Sequence, residues 1–225
     1  MSTKTKLHYI LQRLKKDDIL KLASQRCEHG HTLFEHPACL EKELKSERIG
    51  ILDIECSNLN ASFGYIISYC IKELDGKIIE RVITEQEIRS GIMDKDLVQN
   101  LIDDMMKFSR VITYYGKRFD IPFIRTRAVF HNLEFPLYQA LHHTDIYFTM
   151  RHKFKLHSNR LETVCEFFGI PAKQHKLKPD IWQAAMAGNK SALLYILQHN
   201  REDVNSTETL YKKLLGFSPV HNTSI

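Results

Sequence analysis

The sequence predicts an α/β fold in which a mixed five-stranded sheet is flanked by helices, and three observations support this prediction. The segment RIGILDIEC at 48–56 is short and almost wholly apolar, as is typical of a central strand buried on both faces. Strand-like segments at 63–73 and 77–84 are joined through an Asp-Gly pair, which favours a hairpin. From residue 94 onwards helical and strand-like segments alternate, as expected when helices pack on a sheet.

The second half of the chain supplies the remaining predicted elements. They are helices at 94–108 and about 122–132, and strands at 110–115 and 140–146. Pro122 suits the first turn of its helix, because the N–H group that proline lacks would have no partner there. From 146 to 215 the pattern predicts consecutive helices, with breaks at 169–171 and 188–189.

Composition limits the possible classes of protein. The 225 residues are 43% hydrophobic and 26% charged, which suffices for a sizeable core, and the net charge of +5 is compatible with a polyanionic partner. No window approaches the roughly eighteen apolar residues of a membrane span, and the N-terminus lacks the apolar core of a signal peptide. These features predict a cytoplasmic protein with no membrane association.

The first 47 residues are predicted to form a separate helical segment, and the main domain is predicted to span 48–217. Leucine and isoleucine recur at roughly helical spacing through the first 24 residues, which indicates one or two amphipathic helices. A loop at 25–40 follows, in which cysteine and histidine are concentrated. The odd count of five cysteines argues against a disulfide framework.

The Cys/His loop predicts a structural zinc site. Zinc is usually held by four cysteine or histidine side chains in tetrahedral geometry. Cys27 and Cys39 are the natural ends of such a set, and His36 stands in an H-x-x-C pair with Cys39. We predict His31 as the fourth ligand, with His29 as its alternative. Two other interpretations remain open: an exposed loop that happens to be rich in histidine, or a histidine that belongs to the main functional site.

Two acids lie close together on the predicted strand at 48–56. Asp53 and Glu55 are two residues apart, so the alternation of a strand points both carboxylates to one face. Burying two like charges is costly unless a cation neutralises them. The pair therefore predicts a metal site near the strand end; the alternative is a strand end whose acids reach solvent.

A third acid follows the strand at 110–115. Asp120 lies in the connection between this strand and the helix that follows it, at the edge of the sheet where active sites of α/β proteins usually lie. Aspartate is also a favoured helix cap, and both roles are compatible. Asp145, before the first of the C-terminal helices, is predicted to cap that helix; the alternative is a fifth acid near the site.

The last candidates lie on the predicted helix at 195–214. His199 and Asp203 are four residues apart, so they share a helix face one turn from each other. A solvated His–Asp pair is the alternative interpretation of this spacing.

These acids occur in the order D-x-E, F-D and H-x-x-x-D, which resembles the DEDD-type 3′–5′ exonucleases. ILDIEC resembles the first motif, TYYGKRFDIPFIRTRA the second and HNREDV the third motif of family B polymerase proofreading domains and of related bacterial ribonuclease H-like domain proteins. The resemblance covers roughly 48–215. Tyr115 stands where the second motif usually has asparagine. His199 stands where the third usually has tyrosine, whereas the histidine branch of the superfamily places its histidine five positions before the aspartate.

The resemblance implies a ribonuclease H-like fold and a site with two Mg²⁺ or Mn²⁺ ions. It implies that Asp53 bridges the ions, that Glu55 and Asp203 complete one site, and that Asp120 acts mostly through water. His199 is expected to orient or deprotonate the attacking water.

The activity implied is 3′–5′ exonuclease cleavage of single-stranded DNA or RNA from its 3′ end, with release of nucleoside 5′-monophosphates. The alternatives are a structure-selective endonuclease of the same fold and an inactive nucleic-acid-binding adaptor. Basic and aromatic residues are expected to bind the strand. They are Tyr115, Arg151, Lys153, Lys155 and Arg160, the last four within the basic run at 151–160; a second basic run lies at 173–178. The alternative for these runs is a solvated helix face or loop.

Overall fold

The computed structural model describes residues 7, 11, 14, 16–44, 47–137, 140–171, 173–217 and 223–224. The strands are β1 (Ile49–Cys56), β2 (Ile66–Glu73), β3 (Ile78–Val82), β4 (Arg110–Thr113), β5 (His142–Asp145) and β6 (Thr223–Ser224). The helices are α1 (Lys16–Ala23), α2 (Pro37–Glu43), α3 (Glu85–Ser90), α4 (Lys95–Met105), α5 (Asp120–Phe130), α6 (Ile146–Lys153), α7 (Leu161–Phe167), α8 (Pro179–Met186) and α9 (Lys190–Leu214).

The strands form one mixed sheet in the order β3-β2-β1-β4-β5-β6. Strand β1 lies in its middle, antiparallel to β2 and parallel to β4. The predicted five-stranded mixed sheet flanked by helices is confirmed in β1 to β5. The two-residue β6 pairs antiparallel with β5 and was not predicted, because two residues are too few to show a strand pattern.

The two faces of β1 carry different kinds of side chain. Leu52 and Ile54 are buried in an apolar cluster that includes residues of α4 and α5. Ile51 is buried in a second cluster, which includes the C-terminal half of α9. Asp53 and Glu55 have the parity of Ile51, so the alternation of the strand directs them to the face that α9 covers. The burial of both faces explains why the run is almost wholly apolar.

The predicted hairpin is present, but the helix that follows it was not predicted, nor was α2, which begins within the predicted loop at 25–40. Asp75 adopts a φ of 58° between β2 and β3, a left-handed conformation that aspartate tolerates better than most residues. Helix α3 follows β3 and begins with a capping box: the side chain of Thr84 accepts from Glu87 N, and the Glu87 carboxylate accepts from Thr84 N. The T-x-x-E spacing was therefore a usable signal.

A buried ionic network joins α4, α5 and β2. Asp94 is fully buried and accepts from Arg127 Nη2 at 2.5 Å, from Arg127 Nε at 2.9 Å and from the backbone N–H of Ile66 at 2.8 Å. His131 Nε2 lies 2.8 Å from the same carboxylate. One carboxylate thus ties the start of a helix to a neighbouring helix and to the sheet.

The N-terminal segment (residues 16–44) has its own small apolar cluster. Leu22, Leu33, Cys39 and Leu40 are buried in it. Of the predicted N-terminal helices, α1 lies within the described residues, and most of residues 1–15 lie outside them. The division into 1–47 and 48–217 stays a prediction. No helix in the described part of the chain is long and apolar enough to cross a membrane.

Candidate active site

The four predicted acids converge on one side of the sheet. Asp53 and Glu55 lie in the second half of β1, Asp120 begins α5 and Asp203 lies in the middle of α9. His199 Nε2 is 3.2 Å from Asp203 Oδ2 and 3.7 Å from Glu55 Oε1. Ligand atoms of Glu55, His199 and Asp203 all lie within 4.8 Å of one another. Three elements that are distant in sequence therefore build one cluster.

Asp53 is fixed in the cluster by α9. Asn200 Nδ2 donates to Asp53 Oδ2 at 3.2 Å and to the Asp53 backbone carbonyl at 3.3 Å. Burial, and then repulsion from Asp203, Asp120 and Glu55, raises the pKa of Asp53 well above its usual range. The contacts with Asn200 and the three neighbouring carboxylates place Asp53 in the cluster, although its side chain stays partly exposed, so the structure favours the metal-site interpretation over a solvated strand end.

Asp120 does not cap its helix. The N-cap position is occupied by Phe119, and Asp120 is the first helical residue. Its Oδ1 instead accepts from the backbone N–H of Ile54 at 3.2 Å, which directs the carboxylate towards β1. Burial raises the pKa of Asp120 to about 7, although hydrogen bonds from backbone N–H groups oppose the rise. The cap interpretation is therefore wrong, and the carboxylate belongs to the cluster.

The electrostatics of the cluster suit a divalent cation. Burial and repulsion from Asp203 raise the pKa of Glu55 to about 8, against the opposing attraction of His199. Buried carboxylates that repel one another in this way ionise readily only beside positive charge. Carboxylate oxygens are the ligands that Mg²⁺ and Mn²⁺ prefer. The donor set therefore fits a hard divalent ion.

His199 is oriented by a chain of contacts. Its Nδ1 hydrogen-bonds to the backbone carbonyl of His175, so Nδ1 carries a proton and Nε2 is the nitrogen that faces Asp203 and Glu55. Burial lowers the pKa of His199, but the hydrogen bond and charge of Asp203 outweigh it, and the net shift is upward. The sequence showed the His–Asp pair but not the carbonyl that aims the ring.

Glu202 supports that carbonyl from α9. Its Oε2 accepts from the backbone N–H groups of Gln174 and His175 at 3.0 Å and 3.1 Å, and its Oε1 lies 2.6 Å from His175 Nδ1. The segment that carries the carbonyl is therefore tied to the same helix as His199. Glu202 was not a predicted site residue, because this role depends on a contact across 27 positions of the chain.

Lys173 is a further site residue that the sequence did not single out. Its Nζ forms an ion pair with Asp203 Oδ1. Burial works against the charged form, but Asp203 outweighs it, so the pKa of Lys173 is raised. The lysine belongs to the basic run at 173–178, which predicted strand binding rather than a contact inside the acid cluster. It offsets part of the negative charge there.

The predicted cap at Asp145 is confirmed, and it also holds the loop after β4. Asp145 Oδ1 accepts from Tyr147 N at 3.1 Å and from Tyr115 N at 2.8 Å, and Oδ2 accepts from Lys117 N at 2.9 Å. Tyr115 adopts a φ of 69° and is 44% exposed, with its ring 4.7 Å from that of Tyr147. Tyr115 is thus an accessible aromatic ring in the loop that leads to Asp120.

The basic residues that are predicted to bind a strand of nucleic acid lie on the protein surface. Arg151 and Lys153 are exposed at the end of α6, and Lys155 and Arg160 are exposed between α6 and α7. Exposure is compatible both with strand binding and with a solvated face. Their role stays a prediction.

A second cluster lies in the N-terminal segment, and its composition differs from the first. Ligand atoms of Cys27, His29, His36 and Cys39 all lie within 4.8 Å of one another, so these side chains are placed to bind a zinc ion. The structure brings in His29, the alternative, where the sequence favoured His31. The reason is a tight turn closed by Cys27 N donating to His31 O at 2.8 Å, with His29 between them. Its Nδ1 lies 3.7 Å from Cys27 Sγ and 3.6 Å from Cys39 Sγ.

The pKa shifts in the Cys/His cluster also differ from those in the acid cluster. Burial, with repulsion from His29 and His31, lowers the pKa of His36 to about 4 and keeps the ring neutral, as a metal ligand requires. Burial, with the effect of Cys27, raises the pKa of the Cys39 thiol to about 12. A thiolate at Cys39 therefore needs positive charge beside it.

Comparison with known proteins agrees with this fold. The sequence matches the family model of the RNase_H superfamily over residues 51–215, and the chain belongs to that superfamily. The match contains all four acids and His199. The predicted ribonuclease H-like fold is thus confirmed, and the nuclease class of the superfamily agrees with the acid cluster. No match was found among curated proteins.

A solved structure gives the same result for the fold. The family B DNA polymerase from the hyperthermophilic archaeon Pyrobaculum calidifontis is similar, with a TM-score of 0.62 and 19% identity. The similarity covers 75% of this chain and 24% of the polymerase chain, so this chain spans about a quarter of the polymerase. At 19% identity, this similarity establishes that the two chains share a fold.

Proposed function

We propose that the protein is a metal-dependent 3′–5′ exonuclease that hydrolyses single-stranded DNA or RNA and releases nucleoside 5′-monophosphates. The observation that carries the proposal is the convergence of Asp53, Glu55, Asp120 and Asp203 with His199 beside them. The order of these residues resembles the exonuclease motifs, and the RNase_H superfamily match spans all of them.

The acids are proposed to hold two divalent ions. Asp53, Glu55 and Asp203 would supply most of the carboxylate oxygens, with Asp120 acting mainly through water. When bound, such ions would activate a water molecule and stabilise the departing 3′-oxygen. The raised pKa values of Asp53, Glu55 and Asp120 support this assignment, because burial and repulsion between the carboxylates outweigh the effect of the positive groups nearby, and a bound cation would relieve that repulsion.

His199 is proposed to take the proton of the attacking water. Its Nδ1 is committed to the His175 carbonyl, so Nε2 alone is available to accept a proton. That nitrogen lies within 3.7 Å of Glu55 Oε1, at the edge of the acid cluster. Glu202 is a positioning residue in this scheme, because it holds the segment that carries the carbonyl.

Digestion of labelled oligomers tests the activity and its direction. Single-stranded DNA and RNA carrying a 5′ label, with free or blocked 3′ ends, are incubated with the protein in Mg²⁺ or Mn²⁺. We expect a ladder that shortens from the free 3′ end and no cleavage of blocked strands. Internal cuts in blocked strands would favour the endonuclease. A mobility shift without cleavage in Mn²⁺ would favour the adaptor.

Replacement of His199 separates its proton-transfer role from a structural one. His199→Ala is expected to lower the rate by about 10²–10⁴-fold with little loss of metal binding, as is typical for loss of a general base. His199→Tyr should retain more activity, because the related motif places tyrosine there. The measurement is the initial rate of nucleotide release at saturating Mn²⁺, with metal affinity measured separately by calorimetry.

The pH profile provides the second readout for His199. A general base acts in its deprotonated form, so the wild-type rate should fall as the pH drops through the pKa of His199. The Asp203 carboxylate holds that pKa above its usual value, and bound cations would lower it. Equal rates for wild type and His199→Ala between about pH 6 and 9 would leave His199 only a structural partner of Asp203.

A further inference from the structure

The N-terminal segment is too small to be held together by its apolar contacts alone. Its cluster of buried side chains comprises Leu22, Leu33, Cys39 and Leu40, with a few partly buried neighbours. Units below roughly 40 residues usually need a disulfide, a metal or a partner chain to fold. All five cysteines are free, so a disulfide does not meet this need. The Cys/His cluster lies within the same segment and includes one of the four buried residues.

The distances in this cluster match tetrahedral zinc. Zinc–sulfur bonds of about 2.3 Å and zinc–nitrogen bonds of about 2.0 Å, at a tetrahedral angle, place ligand sulfur and nitrogen ~3.5 Å apart. Cys27 Sγ lies 3.7 Å from His29 Nδ1 and 3.4 Å from His36 Nδ1, and Cys39 Sγ lies 3.6 Å from His29 Nδ1. Two sulfurs and two imidazoles favour zinc over the hard ions that suit the acid cluster.

A fifth side chain reaches the cluster from the sheet. His142, the first residue of β5, is fully buried, and its Nε2 lies 3.7 Å from Cys39 Sγ. Its backbone is fixed, because His142 N donates to Ser109 O at 2.9 Å. Its ring centroid is 5.3 Å from that of His36. This contact could not be predicted from the sequence, since 103 positions separate the two residues.

We propose that Cys27, His29, His36 and Cys39 bind a structural zinc ion, and that His142 fastens this site to the sheet by donating an Nε2–H hydrogen bond to the Cys39 thiolate. The four ligands complete the tetrahedron, so His142 contacts a ligand rather than the metal. A hydrogen bond to a ligating sulfur fixes its orientation and favours the thiolate. Zinc binding thereby both folds the N-terminal segment and docks it on β5. This inference is independent of the proposed nuclease activity.

The first test is metal content. Protein purified without chelator is expected to contain about one equivalent of zinc, and Cys39→Ser, which removes a ligand, should lose it. Cobalt added to zinc-free protein should give the absorption of a tetrahedral site with two thiolates. Wild-type protein that neither contains zinc nor binds added zinc or cobalt would overturn the proposal.

The second test concerns His142. His142→Leu removes the donor and is expected to weaken zinc affinity by about 10–100-fold, as measured by competition with a chromogenic chelator. His142→Gln keeps an N–H donor and should recover most of the affinity. His31→Ala, outside the set of four, is the matched control and should bind zinc as the wild type does. Wild-type affinity in His142→Leu, or complete loss of zinc in both His142 variants as in Cys39→Ser, would overturn the hydrogen-bonding role.

A third measurement avoids the folding defect that a buried substitution can introduce. Wild-type protein is stripped of zinc and then digested briefly with trypsin, with and without zinc added back. We expect cleavage within residues 16–44 to be faster in the stripped protein and to slow when zinc is restored. Equal cleavage in both samples would show that the metal does not dock the segment.

Discussion

Asp53→Asn is expected to lower nucleotide release by roughly two or more decades while leaving the protein folded. Metal stabilisation of a phosphoryl transition state is worth several kcal/mol, and each ~1.4 kcal/mol corresponds to a tenfold change in rate. Asp53 sits among the other acids, and its pKa is raised by Asp203, Asp120 and Glu55 after burial. Replacing one oxygen by an amide nitrogen removes the charge with almost no change in shape.

The same substitution should not reduce stability in the absence of divalent ions. The folded-state pKa of Asp53 lies above its unfolded value, so the native state binds more protons between the two values and loses stability as the pH rises through that window. Above its unfolded pKa, Asp53 therefore costs stability relative to acid pH, and asparagine, which does not titrate, removes that cost. The oxygen of an asparagine can still accept from Asn200 Nδ2, which now reaches Oδ2 at 3.2 Å.

Thermal melts with and without Mn²⁺ provide the readout that does not depend on activity. Wild type should gain stability from Mn²⁺, whereas Asp53→Asn should gain much less. Asp96→Asn, which changes an exposed acid on α4, is the matched control and should behave as the wild type in both assays. Near-wild-type turnover by purified Asp53→Asn would refute the two-metal assignment.

Arg127→Met is expected to cause the largest loss of stability, about 3–5 kcal/mol, because it leaves the fully buried Asp94 without its main counter-charge. Methionine keeps much of the volume, so the loss reports the unpaired charge rather than a cavity. The His131 ring and the Ile66 N–H remain as partners, which favours the lower end of that range. Urea unfolding at neutral pH measures the effect.

An exposed ion pair on the neighbouring helix gives the control. Arg89 and Glu85 are in contact at 2.6 Å on α3, with 73% and 50% of their side chains exposed. Arg89→Met should change the free energy of unfolding by no more than about 0.5 kcal/mol, since solvent screens such pairs. If the two arginine substitutions had similar effects, the buried network would contribute no more than a surface pair.

The sequence predicted the parts of the site that depend on local pattern. Asp53 and Glu55 were assigned to one face because the alternation of a strand is fixed over two residues. His199 and Asp203 were paired because a helix turn brings together residues four apart. The strand at 48–56 was recognised because burial on both faces leaves a continuous apolar run. Each of these inferences needs no knowledge of which elements meet.

The parts that were missed depend on contacts between distant segments or on the detail of a turn. Lys173, Glu202 and His142 act across the fold, and a single sequence does not show which segment lies opposite them. The choice between His29 and His31 was decided by the turn at 27–31, where both spacings are possible in a glycine-containing loop. Helix α3 differs from these cases, because the sequence contained a local signal for it, the T-x-x-E capping box at 84–87.

The position of Asp53 and Glu55 on a strand buried on both faces restricts how the length of this chain can change during evolution. A single residue inserted or deleted between the start of β1 and Asp53 would move both carboxylates to the opposite face, against α4 and α5, and would turn their apolar neighbours towards the acid cluster. In the connection at 57–65, residues such as Leu59 and Phe63 are exposed. A residue added or removed there would not turn a buried side chain to the other face of the sheet. Among related chains, differences in length are therefore expected in that connection, while the spacing from the start of β1 to Glu55 stays constant.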